Sequence, residues 1–250
     1  MAELRLTVGD IAVTTESGTT TVTYGNNTYN VCLVDLSFLK KMYQPTEVKA
    51  QLDFEMSGTW VAPSRTDIEN TFKLKNAILE VGTSGTDSSG KPSWTTEDTI
   101  GSDYYVHDVR VHYQSGWMFV YLTIYSLDKL LTLNKGCNTY VGKTLSSILT
   151  SVLASYKVPY NKDKSLSFKS GMQVLQIDTD QIDSDGNKVM KEHKFPYLVQ
   201  YNESFYDLLK RTTNRWGEFL YWEDGTLMIG YDDSSSNKLE IEIGRAVQQE

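Results

Sequence analysis

Apolar and polar residues alternate along the first half of the chain, which is the pattern of strands that bury one face. The alternation is clearest in residues 47–54, where every second side chain is apolar: Val48, Ala50, Leu52 and Phe54. Other extended runs cover residues 5–14, 20–24, 29–36, 73–81, 104–113 and 117–125. Because short turns rather than helices join most of these runs, the pattern predicts an antiparallel β-barrel-like domain, or a sandwich, over residues 1–126.

Residues 82–103 interrupt this pattern. They are rich in Gly, Ser, Thr and Asp around Trp94, so we predict a long surface loop. We expect Trp94 to fold back onto its own domain, which is the commoner arrangement for such a residue. Earlier in the chain, Ser64 and Asp67 have the spacing of a capping box, which predicts a short helix to about Phe72.

In the middle of the chain, the spacing of the apolar residues becomes that of a helix. In residues 143–156, apolar side chains recur at the spacing of one helix face: Leu145, Ile148, Leu149, Val152 and Leu153. Residues 127–133 are ambiguous, and residues 178–194 form a charged segment with turn residues at 184–187. We therefore predict a helical or mixed connecting domain over residues 127–197, with a charged hairpin inserted into it.

Residues 198–231 predict a strand, a helix and a hairpin in succession. Ser204 and Asp207 have the spacing of a second capping box, so the helix should begin there. Phe205 and Leu208 then fall on one face at helical spacing, which predicts that this face is buried.

The end of this helix and the hairpin after it are also marked in the sequence. Trp216 extends the apolar face, and Gly217 stands where a left-handed residue is wanted after the last turn. The pair Asp224-Gly225 is a strong signal for a tight hairpin. A further strand is predicted to begin at residues 239–243.

Composition narrows the class of function. The chain has 250 residues, of which 40% are hydrophobic and 22% are charged, as in ordinary globular proteins. No apolar run approaches the roughly 18 residues of a membrane span, and the N-terminus has no export-signal pattern, so we expect no membrane anchor. A net charge of −8 without a basic patch argues against nucleic-acid binding. Cys32 and Cys137 are expected to be free thiols, buried or half-buried.

Two motifs resemble ligand loops but depart from the required pattern. Gly136 and Gly142 precede Lys143 as in a P-loop, but five residues separate the glycines where a phosphate loop needs about four. We interpret that segment as a turn and helix start. Residues 181–192 have the spacing of a calcium loop, except that Gln181 replaces the first carboxylate ligand. We interpret them as an acidic hairpin turn.

The histidines do not predict catalysis. His107 and His112 are five positions apart on one predicted strand, so they should lie on opposite faces and could not bind one ion together. His193 stands alone in a charged segment, and no histidine has a nucleophile near it in sequence. We therefore predict a protein that is not an enzyme and has neither a metal nor a cofactor.

Three segments resemble the contractile-tail baseplate hub family, which comprises the hubs of phage tails and the hub-like N-terminal region of type VI VgrG spike proteins. SFLKKMYQPTEVKAQL at residues 37–52 is similar to the first barrel of that family. Residues 125–153, which begin YSLDKLLTL, are similar to the segment that leads into its helix. QYNESFYDLLKR and WGEFLYWEDGTLMIG, within residues 198–230, resemble the family signature. The three segments occur in family order, which makes the resemblance fairly specific.

The resemblance implies a structural protein of a contractile injection machine, in a phage tail or a type VI-like apparatus. It implies a homotrimer in which each subunit contributes two barrel-like domains, so that a pseudo-sixfold ring joins the sixfold tail tube to the threefold spike. On this resemblance, residues 198–250 open the second barrel-like domain, which we expect to be incomplete in this chain. The partners would be the tail tube protein, a spike protein or its own C-terminal spike, and other baseplate subunits. Assembly would take place in the bacterial cytoplasm, and contraction would deliver the hub outward.

The candidate assembly residues lie in the third segment, where they would fix the second barrel on the helical segment: Tyr201, Ser204, Phe205, Asp207, Leu208, Trp216, Gly217, Tyr221, Asp224 and Gly225. The alternative function is a secreted β-sandwich module that binds carbohydrate through exposed Trp and Tyr. The lack of an export-signal pattern argues against that alternative.

Overall fold

The computed structural model describes residues 3–15, 20–55, 61–114, 116–153, 157–161, 164–167, 184–187, 192–223 and 226–230. Eight strands of the first half form one antiparallel sheet: β1 (Glu3–Val8), β2 (Ile11–Thr14), β3 (Thr20–Tyr24), β4 (Asn27–Leu39), β5 (Glu47–Glu55), β6 (Asn76–Thr86), β7 (Pro92–Gln114) and β8 (Trp117–Ser126). Their order across the sheet is β2-β1-β6-β7-β8-β5-β4-β3. The prediction of a mostly β fold around an antiparallel sheet is confirmed.

The two edge strands of this sheet approach each other, so the sheet curls into a barrel. Thr20 Oγ1, at the start of β3, donates a hydrogen bond of 2.6 Å to the carbonyl of Ala12 in β2. Alternate side chains of the strands fill the interior, and those no more than 2% exposed include Leu6, Val31, Val48, Leu52, Phe54, Val106, Val120, Leu122 and Ile124. This alternation is the period-2 pattern that the sequence predicted.

A short helix, α1 (Arg65–Phe72), packs into the same core. Its predicted capping box is confirmed: Ser64 Oγ accepts the Asp67 N–H at 3.1 Å, and the Asp67 carboxylate accepts the Ser64 N–H at 3.3 Å. Ile68 and Phe72, one helical turn apart, are both fully buried. Because so short a helix is marginal in water, this burial stabilises it more than its own propensity does.

The prediction of a loop at residues 82–103 is wrong. Strand β6 runs on to Thr86 and β7 begins at Pro92, so the stretch belongs to a long antiparallel hairpin. The turn between the strands is held by Asp87, whose carboxylate accepts the N–H groups of Ser89 at 2.8 Å and Lys91 at 2.9 Å. The small polar composition is typical of loops, but the threonines in it are β-branched and favour extended backbone once a partner strand is available.

The prediction that His107 and His112 lie on opposite faces is also wrong. A bulge between Val106 and Asp108 leaves His107 as an extra residue in β7 and shifts the pleat by one position. Both imidazoles therefore lie on the outer face of the barrel. There His107 contacts the ring of Tyr125, with 5.5 Å between ring centroids, while His112 stacks on Phe119 at 6.2 Å.

The second half of the described chain contains a 3₁₀ helix and smaller elements: the 3₁₀ helix (Leu127–Thr132), β9 (Lys135–Tyr140), α2 (Leu145–Leu153), β10 (Lys157–Asn161), β11 (Lys164–Ser167), β12 (Leu198–Ser204), α3 (Phe205–Arg215), β13 (Leu220–Glu223) and β14 (Thr226–Ile229). The pairs β10–β11, β12–β9 and β13–β14 are antiparallel. The predicted helix in residues 143–156, the strand and helix in residues 198–231 and the hairpin after them are confirmed.

Three further predictions concern the P-loop-like segment, Cys137 and the calcium-like segment. Residues 136–140 form strand β9 rather than a turn, because β12 supplies a partner for them; an extended strand cannot curl its N–H groups around a phosphate. Cys137 is exposed rather than buried, since it lies on the outer side of that strand. Of the calcium-like segment, residues 184–187 form a turn, whereas residues 181–183 and 188–191 lie outside the described ranges.

The helices within the described ranges are all too short or too polar to cross a membrane. The division into domains at residues 126 and 197 stays a prediction. Strand β9 pairs with β12 across the second of these boundaries. One continuous hydrophobic cluster also runs from the barrel into α3 and β13–β14.

Candidate assembly site

Helix α3 begins and ends where its sequence signals place it. Ser204 is the N-cap: its Oγ accepts the Asp207 N–H at 3.0 Å, and the Asp207 carboxylate accepts the Ser204 N–H at 3.3 Å. Trp216 is the C-cap, and Gly217 follows with φ of +71°, a conformation that glycine adopts without strain. Both predicted boundaries are confirmed.

The apolar face of α3 packs against the 3₁₀ helix and the β13–β14 hairpin. Its buried residues are Phe205, Tyr206, Leu208, Leu209, Thr212 and Thr213. On the hairpin, the side chains no more than 2% exposed are Leu220, Trp222, Leu227 and Ile229. Because full burial of each Phe or Leu side chain contributes about 1.5–3 kcal/mol, this layer is a substantial attachment of α3 to the 3₁₀ helix that follows the barrel and to the hairpin.

A buried polar cluster lies beneath this helix, where the barrel ends. Ser126, the last residue of β8, accepts the Thr46 N–H at 2.8 Å and donates its hydroxyl proton to Asp128 Oδ1. Asp128 is fully buried in the 3₁₀ helix, and its other carboxyl oxygen has no hydrogen-bond partner within the described residues. The hydroxyl of Tyr206, in the first turn of α3, is buried and equally unpaired there.

The electrostatics of this polar cluster follow from its burial. Removal from water raises the pKa of Asp128 to about 7, because the carboxylate loses its hydration, and the Ser126 hydrogen bond offsets only part of that loss. Burial, together with the negative charge of Asp128, also raises the pKa of Tyr206. Near neutral pH, Asp128 is therefore protonated in a large fraction of molecules. In that form the carboxyl is uncharged and lies beside the Tyr206 hydroxyl.

Tyr43 ties the barrel to the chain after α3 through two hydrogen bonds. Its N–H donates to the Leu220 carbonyl at 2.7 Å, and its hydroxyl donates to the Glu218 carbonyl at 2.6 Å. The backbone of Tyr43 has φ of +60°, a costly conformation for a bulky residue, so the surrounding contacts must hold it there. Sequence reasoning missed this residue, because its partners are some 175 positions away. Its position just before Gln44-Pro45, in the first segment of resemblance, was the available signal.

The candidate assembly residues separate into four groups. Those in or beside the packed layer are Ser204, Phe205, Asp207, Leu208, Trp216 and Gly217. Tyr221 is half-buried, with Lys40 Nζ 5.9 Å from the centre of its ring. Tyr201 is 79% exposed and lies away from the layer. Asp224 and Gly225 lie outside the described residues, although Glu223 and Thr226 on either side of them are paired across the hairpin.

The contacts described above are packing contacts and hydrogen bonds that attach secondary-structure elements to one another. Within the part of the chain that the structure describes, no group of three or more His, Cys, Asp or Glu side chains could hold a metal ion. A profile of the phage tail baseplate hub family matches residues 105–249, more than half of the chain. The chain belongs to the phage tail baseplate hub family.

The chain is also similar to solved structures. A chain of the Francisella PdpA–VgrG complex, in its half-lidded form, has a TM-score of 0.51 and 13% identity, and the match covers 96% of this chain and 32% of that one. The 43 kDa tail protein of prophage MuSo2 from Shewanella oneidensis has a TM-score of 0.48 and 12% identity, over 92% of this chain and 53% of that one. A component of the type VI secretion system of E. coli has a TM-score of 0.45 and 11% identity, over 82% and 49% of the two chains.

The hub chain therefore spans about half the length of the tail proteins that it matches. The shared fold rests on the Francisella structure, whose similarity is the highest of the three. In sequence, no curated protein matches the chain.

In this hub, the three segments of resemblance meet at one place, which we call the hub joint. Tyr43 and Thr46 come from the first segment, Ser126 and Asp128 from the second, and Tyr206 at the start of α3 from the third. The segments are far apart in sequence, so their meeting depends on the fold. At this joint, residues of the three stretches connect the end of the barrel to the 3₁₀ helix and to α3.

We expect Ser204→Ala to lower the free energy of unfolding of the hub by about 0.5–2 kcal/mol, because the Asp207 N–H loses its acceptor. Urea denaturation followed by circular dichroism measures this loss. Ser37→Ala, on the exposed part of β4, is the control and should change the free energy by less than about 0.5 kcal/mol. Equal effects of the two substitutions would show that the cap contributes nothing.

Proposed function

We propose that this hub is a homotrimeric adaptor that joins the sixfold tail tube to the threefold spike. Each subunit would contribute the β1–β8 barrel and the start of a second barrel-like unit. Three subunits then form a ring of six similar units, which matches both symmetries at once. The observation that carries the proposal is the hub joint. A ring closes only when every subunit presents its two units at one angle, and a buried, hydrogen-bonded attachment holds that angle.

The role is mechanical. The hub would cap the tail tube, hold a spike protein or its own C-terminal spike, and contact other baseplate subunits. It would assemble in the bacterial cytoplasm and leave with the spike when the sheath contracts. This role needs a stiff subunit rather than a reactive site. Family membership and the apolar attachment of α3 to the barrel support it.

Mass measurement tests the stoichiometry. Size-exclusion chromatography with light scattering at micromolar concentration should give an assembly of three times the 28.3 kDa chain mass for the hub alone. In mixtures with the tube and spike proteins, the complex should contain three hub chains. A hub that stays monomeric in every mixture would contradict the adaptor role. A stable dimer or hexamer would contradict the threefold ring while leaving family membership intact.

A further inference from the structure

Strands β9 and β12 form a two-stranded ribbon with one buried and one exposed face. The ladder extends from Ser204–Lys135 at one end to the Phe195–Lys143 bridge at the other. Leu198 and Gln200 lie on its inner face and are buried, and a cavity of about 430 Å³ separates that face from α2 and Phe205. Because side chains alternate along a strand, the residues between them point outward.

The middle of the outward side of this ribbon carries no charge, whereas Lys135, in the same alternation as Cys137 and Thr139, lies at its end. This uncharged part consists of Cys137 and Thr139 on β9, Val199 and Tyr201 on β12, and Val141 and Tyr197, which adjoin the ends of these strands. Exposed fractions reach 63% for Val141, 67% for Tyr197 and 79% for Tyr201. We call these six residues the ribbon face. Isolated exposed apolar residues are ordinary, but a contiguous set with two large tyrosines, one on the paired strands and one just before them, is the type of surface that partners cover.

A second aromatic surface lies on the outside of the barrel. Along β8, alternate residues point outward, and three of them are aromatic in succession: Trp117, Phe119 and Tyr121. Trp117 is 40% exposed and Tyr121 is 43% exposed. We call these three residues, with their outward neighbours on β4, β5 and β7, the barrel face. A shallow groove of about 710 Å³ runs over it beside Tyr121.

The charges around the two faces are complementary. On the barrel face, Lys49 pairs with Glu47 and Arg110 pairs with Asp108, which leaves Asp35, Asp53 and Glu55 as an acidic excess. At the two ends of the ribbon, three lysines are exposed: Lys135, Lys143 and Lys194. Nearby, Arg211 is paired with Glu203. Glu192 is the acidic residue nearest in sequence to Lys194. The rim of the ribbon is therefore basic. The electrostatic energy should therefore favour contact between these two different surfaces over contact between two copies of either one.

We propose that the ribbon face of one hub subunit docks on the barrel face of the next. The inference rests on the proposed trimer, because a threefold ring requires a head-to-tail contact between two different surfaces. The two faces lie on different parts of the subunit, so each subunit can be engaged on both sides. Tyr197, Tyr201 and Trp117 are the large aromatic side chains that would be buried at the centres of the contact, with the lysines and carboxylates at its edge.

Two single substitutions test the contact. Tyr201→Glu places a negative charge on the ribbon face, and Tyr121→Glu places one on the barrel face. Each should weaken self-association at least about tenfold, because a charge would have to be desolvated against an apolar or acidic surface. Both residues are exposed in the single subunit, so thermal unfolding of the monomer should be unchanged. Val61→Glu, at a residue 62% exposed and on neither face, is the matched control and should assemble as the unsubstituted hub does.

Mixing the two variants identifies the direction of the contact. The Tyr201→Glu subunit keeps an intact barrel face and the Tyr121→Glu subunit keeps an intact ribbon face, so an equimolar mixture should form heterodimers that cannot grow further. Native mass spectrometry with one subunit isotopically labelled detects them. A mixture that stays monomeric would overturn the proposal, because the two faces would then not meet each other.

The remaining outcomes separate this inference from the proposed function. If the unsubstituted hub is trimeric and both variants are trimeric as well, the docking surfaces are wrong and the trimer stands. If the unsubstituted hub never associates, the trimer itself fails and the docking contact with it. Binding of a glycan array by a monomeric hub, lost in Tyr121→Glu, would also overturn the inference and identify the barrel face as a carbohydrate platform.

Discussion

Replacing Asp128 with asparagine should raise the free energy of unfolding at pH 8 and flatten its dependence on pH between about 4 and 7. The pKa of this carboxyl rises from 3.8 to about 7 on folding, chiefly because it is buried. The folded chain therefore binds the proton more tightly than the unfolded chain, and stability falls as pH rises through that window. Since one pKa unit corresponds to about 1.4 kcal/mol, the cost above pH 7 is on the order of 4 kcal/mol.

Asparagine resembles the protonated acid in shape, which is why a gain is expected at high pH. Its amide oxygen can accept the Ser126 hydroxyl proton as the Asp128 carboxyl does, and the amide stays uncharged at every pH. The other groups near the carboxyl are Lys129, whose charge lowers the pKa of Asp128, and Tyr105, whose own pKa Asp128 helps to raise. Neither is altered by the substitution.

Urea denaturation at a series of pH values from 4 to 8 measures the effect of this substitution. Asp108→Asn is the control: it removes a carboxylate that is 41% exposed and paired with Arg110 on the barrel surface. Exposed ion pairs contribute about 0–1 kcal/mol, so that variant should follow the pH profile of the unsubstituted hub. A loss of stability at pH 8 in Asp128→Asn would mean that the folded hub stabilises the carboxylate anion, contrary to the expected sign.

Features of the fold that depend on local chemistry could be predicted from the sequence. Both capping boxes were visible because a Ser and an Asp three positions apart satisfy each other's backbone within one helical turn. The same holds for Gly217, whose left-handed backbone ends α3. The alternation in β5 predicted which residues are buried, because a pleated strand turns every second side chain to the same side.

Features that depend on distant partners could not be predicted in this way. The extension of β6 and β7 through residues 82–103 is decided by their pairing, which compensates for a composition that resembles a loop. The bulge at His107 has no local signal, yet it moves a whole strand by one position relative to the expected pleat. In sequence the residues of β9 resemble the start of a P-loop, and it is their pairing with β12 that makes them an extended strand.

The same distinction applies to the hub joint. Ser204, Phe205 and Leu208 were identified because helix capping and periodicity are local. Tyr43 and Asp128 were not, because their importance comes from what packs over them. Asp128 lies next to Lys129 in sequence and would be expected at the surface, whereas the fold places it under α3 at zero exposure. The sequence therefore predicted the cap and the apolar face of α3, but not the buried residues on which the helix packs.

The second large effect is expected for Gly82→Ala, which should destabilise the hub by about 3 kcal/mol. A methyl group at Gly82 would lie 2.8 Å from the ring of Trp94 and closer still to the carbonyl oxygen of Thr95. The carbonyl belongs to the paired strand β7, so it cannot swing away as a flexible side chain would. Trp94 is also held on its other side, where the guanidinium carbon of Arg5 lies 5.3 Å from the centre of its ring. The strands β6 and β7 must therefore separate locally, which costs ladder hydrogen bonds.

Gly85→Ala is the matched control, three residues further along the same strand. A methyl group there would meet only the Ser93 hydroxyl oxygen, at an ordinary contact distance of 3.6 Å. That variant should be neutral, or more stable by up to about 1 kcal/mol, because alanine restricts the unfolded chain. Urea denaturation of the two variants, with near-ultraviolet circular dichroism to follow Trp94, measures the difference. If both substitutions have the same effect, Trp94 does not pack on Gly82, and the long hairpin is attached to the barrel only through its backbone ladder.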